Sequence, residues 1–577
     1  MRYLMLLLVI ISILGYCAAM KKRWNVRIEF SPAIVSSGIV GILFVAGILN
    51  MMKIIVYLVF IIGIVLFVLE CKCLLEQRTL IVLCVLLSVM VYFAFLLKGS
   101  VITSYDNFSH WLTVVKSMLL TDRMPNFKDT MIVFQSYPLG SGLWLYYFGK
   151  LCSLTEGMLL FAQVTLMLFM VLPMFAFVKK ENKFSNIVIV VYIIFLLTIN
   201  NGVHVLTVDT LLAAVGVGCL AIIGYEKKNC ERALLEIMPL LILEVQIKNS
   251  GIFFVLVCIL YYILVNKQEI IKNKTMRYKF IGDDIVLPIF SMFVWKQHVK
   301  LVFEDGEHAK HSMSVANYKT VLGDKTNEII IQIAKDVFRG ATTISTTERV
   351  AMLMMLIFSV IILAIVIASF KKKQVVYRGI KMIAAIWLIY SIYIFFVFCM
   401  YVFSMTYNEY LSTDLPSFNR YAATCLGFIG GLIVLYIIDS DSGLQHQIVP
   451  ISLLVTMFVL FGKTKDELLP MYENTSTNRV ELQKMLLDYG VPQGASCTIY
   501  AGDSIGGYLY YYCRYELWSS NVVLVRKSEG FDSLSAAAEQ SEYLVIWNSS
   551  ADMNKYLKTI GKNELKGKKR VILHKTE

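Results

Sequence analysis

Charge is scarce in this chain. Of its 577 residues only 16% are Asp, Glu, Lys or Arg, against about 25% in an ordinary soluble domain. Histidine is scarcer still, with seven in all. There is no phosphate-cradling P-loop, no GxGxxG opening a helix after a strand, and no paired CxxC, so nucleotide binding through those loops and a cysteine zinc site have no support. Half of the twelve cysteines lie in apolar runs (Cys17, Cys84, Cys219, Cys258, Cys399, Cys425), where the residue behaves as a small hydrophobe. Cys71 and Cys73 form a CxC with no partner pair. Only Cys497 and Cys513 fall in the polar C-terminal part, where a disulfide and two free thiols are both open.

Apolar residues fill the space that charge leaves. They make up 58% of the chain, and the mean hydropathy is +0.67. That balance excludes a soluble enzyme, a disordered chain and a collagen-like fibre, and implies an α-helical polytopic membrane protein. A span takes about 20 mostly apolar residues. On that scale candidates lie near 3–20, 31–49, 54–69, 79–97, 157–178, 184–200, 205–224, 233–247, 251–265, 281–295, 350–370, 381–403, 421–438 and 447–461, about 14 in all. The first run has no basic leader and is followed by Lys21, Lys22 and Arg23, which reads as an anchored span instead of a cleaved signal. The stretch 138–153, with Trp144, Tyr146 and Tyr147, reads as a half-buried or interfacial helix.

The net charge of +13 has an address. Basic residues crowd the short loops 21–27, 179–183, 226–232, 267–279 and 371–381. These alternate with the spans and belong on the cytoplasmic side by the positive-inside rule. The excess therefore reports topology, with no nucleic-acid partner. The same alternation puts three longer loops outside, 98–138, 296–349 and 404–420, together with the tail after 461. Residues 1–461 thus form a multispan domain. Residues 462–577 read as a small extracytoplasmic α/β domain with a largely parallel sheet. Strand-like runs fall at 497–502, 522–527, 543–547 and 570–574, and helical segments at 478–489, 505–517, 532–540 and 551–560.

The outer loops carry the reactive side chains. SYDNFSHW (104–111) follows a span directly and sets Asp106, Ser109, His110 and Trp111 within two helical turns. An acid there can accept a proton from a hydroxyl or hold a divalent cation, or it can cap the helix that follows. QSYPLGSGLWLYY (135–147) comes next. EDGEHAKHSMS (304–314) clusters Glu304, Asp305, Glu307, His308, Lys310 and His311. Lys310 with a histidine can neutralise a phosphate leaving group; a metal held by Glu304, His308 and His311 and a solvated charged loop are the other readings. NEYLSTDLPSFNRYAA (408–423) sets Glu409 and Arg420 on either side of Pro416, and Arg420 at the membrane face can bind a phosphate or snorkel.

Ionisable residues inside spans count as functional until shown otherwise. Asp209 lies near the outer end of its span, and Glu244 and Lys248, spaced i, i+4, are expected to pair with each other. In the tail, Gly502, Asp503 and Ser504 read as a turn leaving a strand. They do not read as a hydrolase block, because no late DxxH follows.

Many spans, an acid in a large early outer loop, a YP segment before an aromatic helix, and an extracytoplasmic tail together resemble the GT-C fold glycosyltransferases. These include the dolichyl-phosphate-mannose mannosyltransferase and arabinosyltransferase types. The resemblance covers roughly residues 80–460. It implies an inverting transferase that takes a polyprenyl-phosphate-linked sugar donor and a glycan, lipid or protein acceptor of the cell envelope, at the outer face of the bilayer. It marks Asp106 as the base and Arg420 as a contact to the donor phosphate, beside Lys310 and His311. His110, His308, Glu409 and Asp209 are supporting candidates, and a divalent metal is an open requirement. Two features depart from the family: three extra spans precede the loop, and Asn107 stands where a second acid is usual, leaving Asp122, Asp129 or Glu409 to supply it. A flippase, or a polymerase or ligase of lipid-linked glycans, is the alternative.

Overall fold

The computed structural model describes the chain apart from Met1 and residues 179–182, 200–201, 305–309, 313, 345–349, 370–371, 412–414, 440–451, 453, 457, 459–467, 469–477, 503–505, 549, 560–569 and 576–577. Its residues fall into two compact units. The first comprises Met1–Ser100, Met118–Asn126 and Phe134–Pro470; the second comprises Val101–Ser117, Phe127–Val133 and Met471–Glu577. The segment around Asp106, placed with the multispan part by sequence reading, is thus built into the unit of the tail.

The first unit is helical. Among the described residues ten helices are long and apolar enough to cross a membrane: Tyr3–Trp24, Ser31–Ile48, Met52–Leu75, Gln77–Leu96, Glu156–Phe177, Gly251–Lys272, Lys274–Val302, Ala351–Ala368, Lys373–Phe403 and Phe418–Asp439. The protein is therefore a polytopic helical membrane protein by length and composition, with ten such helices instead of about 14. The shortfall has physical causes. The segments expected at 184–200 and 205–224 form shorter apolar helices, Ser185–Thr198 and Asp209–Tyr225. The second starts late because the chain stays irregular up to Val208. The segment at 233–247 is the helix Cys230–Ile247, and it carries Glu231, Arg232, Glu236 and Glu244. Most of 447–461 lies outside the described residues.

At one end of this unit Glu29, 2% exposed, receives Arg27 and Arg78, both at 2.9 Å. Burial alone would raise the Glu29 carboxyl, but the two guanidinium groups outweigh it and hold it below the usual carboxylate range.

The second unit contains a four-stranded sheet: β1 Cys497–Tyr500, β2 Val522–Val525, β3 Tyr543–Ile546 and β4 Val571–His574. The order is β2-β1-β3-β4. β1 pairs in parallel with β2 and β3, and β4 closes antiparallel on β3. The helices Asn478–Asp488, Gly506–Leu517, Gly530–Glu539 and Ala551–Thr559 alternate with these strands, as crossover connections between parallel strands require. Tyr500, Leu534, Ile546, Met553 and Leu557 form one core beside the sheet. Gly502 leaves β1 with φ of 66°, a left-handed conformation that glycine adopts without penalty. Asp503 and Ser504 lie outside the described residues.

Candidate functional site

The first unit holds a buried charge cluster built by three helix ends. The helix Asp209–Tyr225 opens on Asp209, where a carboxylate complements the positive end of the helix dipole. The helix Cys230–Ile247 stops at Ile247, and Lys248 is extended, with φ −159° and ψ 149°. The next helix begins at Gly251, whose position allows no side chain because a Cβ there would strike the Glu244 carbonyl. That tight turn carries Lys248 away from its own helix. Its Nζ lies 2.9 Å from Asp209 Oδ1, and Arg420 Nε lies 3.2 Å from Asp209 Oδ2. The Tyr421 ring stands beside both cations, 5.0 Å from Lys248 Nζ and 5.6 Å from the Arg420 guanidinium carbon, within cation–π range. The expected Glu244–Lys248 pair is therefore not made. An i, i+4 pair needs the helix to continue through Lys248, and it does not.

A cavity of about 600 Å³ lies beside this turn, and Gln246, Asn249, Ser136, Trp295, Lys296 and Lys300 are among the residues that line it. Hydrogen bonds fix its walls. Trp295 Nε1 donates to the Ser136 carbonyl at 3.0 Å, Ser136 Oγ donates to the Lys310 carbonyl at 2.7 Å, and Gln246 Nε2 donates to Ser291 Oγ at 2.9 Å. Ser312 and Ser314 complete the rim. Lys310 and His311 turn toward the aromatic rings of the QSYP segment: Lys310 Nζ sits 4.8 Å from the Phe134 ring. His311, at φ 59°, sets its ring 5.4 Å from Phe134 and 5.9 Å from Tyr137. Sequence reading missed Lys296 and Lys300. Their signal was WKQHVK (295–300), two lysines at i, i+4 where an apolar span ends.

A second, apolar groove of about 470 Å³ runs along two of the same helices. It is lined by Gly38, Gly41, Ile42, Val45, Pro239 and Ile242, among others. Phe44 and Val245, from the same two helices, line the larger cavity. The pair is a mainly apolar chamber that carries two lysines, two amides and several serines, beside an apolar trough.

Of the other sequence candidates in this unit, Asp122 is tied to Lys150 at 2.5 Å and receives Tyr146 at 2.8 Å. Burial pushes its carboxyl up, and those two partners more than reverse it. Glu409 lies on the short helix Tyr407–Leu411, with its side chain outside the described residues. His308, Asp305 and Glu307 also lie outside them, so the metal reading of that loop has no geometry to examine. Among the described residues no three His, Cys, Asp or Glu side chains gather as a metal site.

Asp106 belongs to the second unit. It precedes a π-helical turn, Asn107–Trp111, and makes no cap hydrogen bond; its own carbonyl accepts from Ser109 Oγ at 3.3 Å. The capping reading is not what the fold uses. Around it Tyr105 meets Tyr508 and Tyr511 edge-on at 5.2 and 5.1 Å. Phe108 meets Tyr512 and Tyr515 at 4.8 and 5.1 Å. Buried Arg479 pairs with Glu516 at 2.9 Å and lies over the Phe108 ring. Burial pushes the Tyr105 hydroxyl well above its ordinary range. His110 is buried against Trp111, and Asp129 accepts from Ser117 Oγ at 2.9 Å. The structure gathers Asp209 with Arg420, and Lys310 with His311 and the QSYP segment, in the first unit, and Asp106 with His110 in the second.

No protein-family model, no curated protein and no solved structure matches this chain.

Proposed function

We propose that the protein is an integral membrane glycosyltransferase that takes its sugar from a polyprenyl-phosphate-linked donor and passes it to a cell-envelope acceptor at the outer membrane face. The observation that carries the donor class is the lysine-bearing cavity and the apolar groove beside it in the first unit. A donor of this kind is an anionic phosphate on a long hydrocarbon chain. Lys296 and Lys300, with the Gln246 and Asn249 amides and the rim serines, supply the charge and hydrogen bonds that a phosphate–sugar head requires. The Gly38–Gly41 trough offers an isoprenoid tail an apolar bed. Transferase chemistry rests on the GT-C resemblance, which marks Asp106 as the base and makes the reaction an inverting displacement. Arg420 is engaged with Asp209, which also holds Lys248 in the turn between Gln246 and Asn249, two residues that line the cavity.

The test uses the full-length protein in detergent. A polyprenyl phosphate is titrated against Trp295 fluorescence, with the uncharged prenyl alcohol as comparison. The phosphate binds more tightly, and Lys296→Ala with Lys300→Ala weakens it about tenfold or more, the size of a charge-assisted contact. Gly41→Phe, which fills open space in the groove, weakens phosphate and alcohol alike. Equal binding of phosphate and alcohol by the wild type, or no effect of the lysine substitutions, overturns the donor assignment. Transfer itself is read by incubating the protein with a radiolabelled polyprenyl-phosphate sugar and an envelope extract.

A further inference from the structure

The helix Cys230–Ile247 carries ionisable side chains down its length: Arg232, Glu236 and Glu244, with Lys248 just past its end. Arg232 and Glu236 pair at 2.8 Å, and Lys248 pairs with Asp209. Glu244 does neither. It is 1% exposed, and both carboxyl oxygens lack a hydrogen-bond partner. From Arg232 to Glu244 is about 18 Å of helix, more than half of a hydrocarbon core about 30 Å thick. Glu244 thus sits deep in the apolar part of the unit.

Among the described residues the elements packed on this helix pair no cation with Glu244. The Ser31–Ile48 helix has no titratable side chain. The Asp209–Tyr225 and Gly251–Lys272 helices bring the thiols of Cys219 and Cys258, which interact with each other; Cys219 also feels Glu244 and Asp284, and Cys258 feels Glu244. Cys258 Sγ is itself occupied, donating to the Gly216 carbonyl at 3.5 Å. The π turn Phe280–Val286 brings Asp284, a second acid that is 0% exposed with both oxygens unpartnered. The Leu287–Val302 helix carries Lys296, His298 and Lys300 in its second half and meets this helix where Ser291 Oγ accepts from Gln246 Nε2. The Gly140–Leu151 helix packs on Gln246 through Gly140 and brings Tyr147 together with Tyr146 and Lys150, the last two engaged with Asp122. An ionised carboxylate in such surroundings is strongly disfavoured. The group escapes that cost by holding a proton, and Lys248, one turn on, is spent on Asp209.

We propose that Glu244 is an intramembrane proton-binding site, protonated in the resting protein, whose exchange is read by Lys248. When the proton leaves a Glu244 oxygen for water, the new carboxylate competes with Asp209 for the Lys248 ammonium, four residues along the same chain. No other covalent bond changes. Movement of Lys248 would loosen Asp209 and so couple protonation to the turn between Gln246 and Asn249, both of which line the cavity. Protonatable carboxyls inside a membrane domain are the usual elements of proton relays. The inference stands on burial and missing partners and does not depend on the transferase reading.

The test treats the full-length protein in lipid nanodiscs with dicyclohexylcarbodiimide, which modifies protonated carboxyls in apolar surroundings, and maps adducts by peptide mass spectrometry. Glu244 and Asp284 are labelled at neutral pH, and Asp209, held by Lys248, is not. Glu244→Gln removes its own adduct and leaves that on Asp284. Infrared spectra of the unmodified wild type then show a carboxylic-acid carbonyl band that shifts in D2O and is reduced in Glu244→Gln. An unlabelled Glu244 in the wild type overturns the protonated state. A labelled Glu244 whose carbonyl band is inert to D2O overturns exchange. Both readings come from the wild type, so they hold even if the variant fails to fold.

Discussion

Lys248 Nζ lies 2.9 Å from Asp209 Oδ1, on a neighbouring helix, although Glu244 stands one turn behind it in its own sequence. The pair is almost wholly enclosed, with side chains 11% and 4% exposed, and Arg420 shares the same carboxylate. Asp209→Asn leaves buried Lys248 without its carboxylate, so the expected loss is about 3–5 kcal/mol, read as a marked fall in the detergent melting temperature. Asp209→Asn combined with Lys248→Met recovers part of it, because the second change removes the stranded ammonium. If the double variant is less stable by the sum of the single losses, the two residues do not interact as a pair.

Glu29 offers a pH test away from the spanning segments. Its carboxyl is depressed in the folded protein by Arg27 and Arg78 against the opposing effect of burial. A depressed acid contributes stability that is fully present above its unfolded value, about 4.3, and is lost as pH falls through the folded value. Melting temperature is therefore expected to be flat near neutrality and to drop in acid. Glu29→Gln lowers it at neutral pH and removes that share of the acid dependence. A variant that melts like the wild type at neutral pH would remove the ion pairs from any part in stability.

The tail was legible in detail because its signals are local. Short β-branched runs such as VVLVRK and YLVIW, divided by helical stretches, lie where β2 and β3 form. Apolar length likewise marked the membrane helices. What escaped was set by contacts distant in sequence. The break after Ile247 depends on Gly251 packing on the Glu244 carbonyl, so spacing alone pointed Lys248 at Glu244. The membership of residues 101–117 in the second unit rests on Tyr105 and Phe108 meeting tyrosines some 400 positions later, which no periodicity announces. Lys296 and Lys300 stand at the end of an apolar run and drew no reading from the sequence, because only the folded arrangement puts them on the cavity wall.

Cys497 on β1 and Cys513 on the neighbouring helix are both buried free thiols. The hydrogen bond between the two, and then burial, push the Cys513 thiol up. Thiolate is the reactive form, so neither cysteine is expected to react with iodoacetamide in the folded protein at neutral pH. Denaturation without a reductant should expose both to the reagent in full. Recovery of both only after reductant would mean that the native pair is a disulfide.

Asp106 bears the largest functional prediction. The resemblance assigns it the proton from the acceptor hydroxyl, a role worth about 10²–10⁴ in rate. Its backbone lies in the right-handed helical region and its side chain makes no cap hydrogen bond, so Asn, of the same shape, does not disturb the π turn through a lost cap. The ring contacts around Tyr105 and the Arg479–Glu516 pair, which hold the segment, do not use the carboxylate as a partner. Asp106→Asn should therefore keep its membrane insertion, melting temperature and polyprenyl-phosphate binding while sugar transfer falls by at least about a hundredfold, the lower end of that range. Lost transfer together with lost donor binding would mark Asp106 as structural, and retained transfer would leave the reaction to another acid.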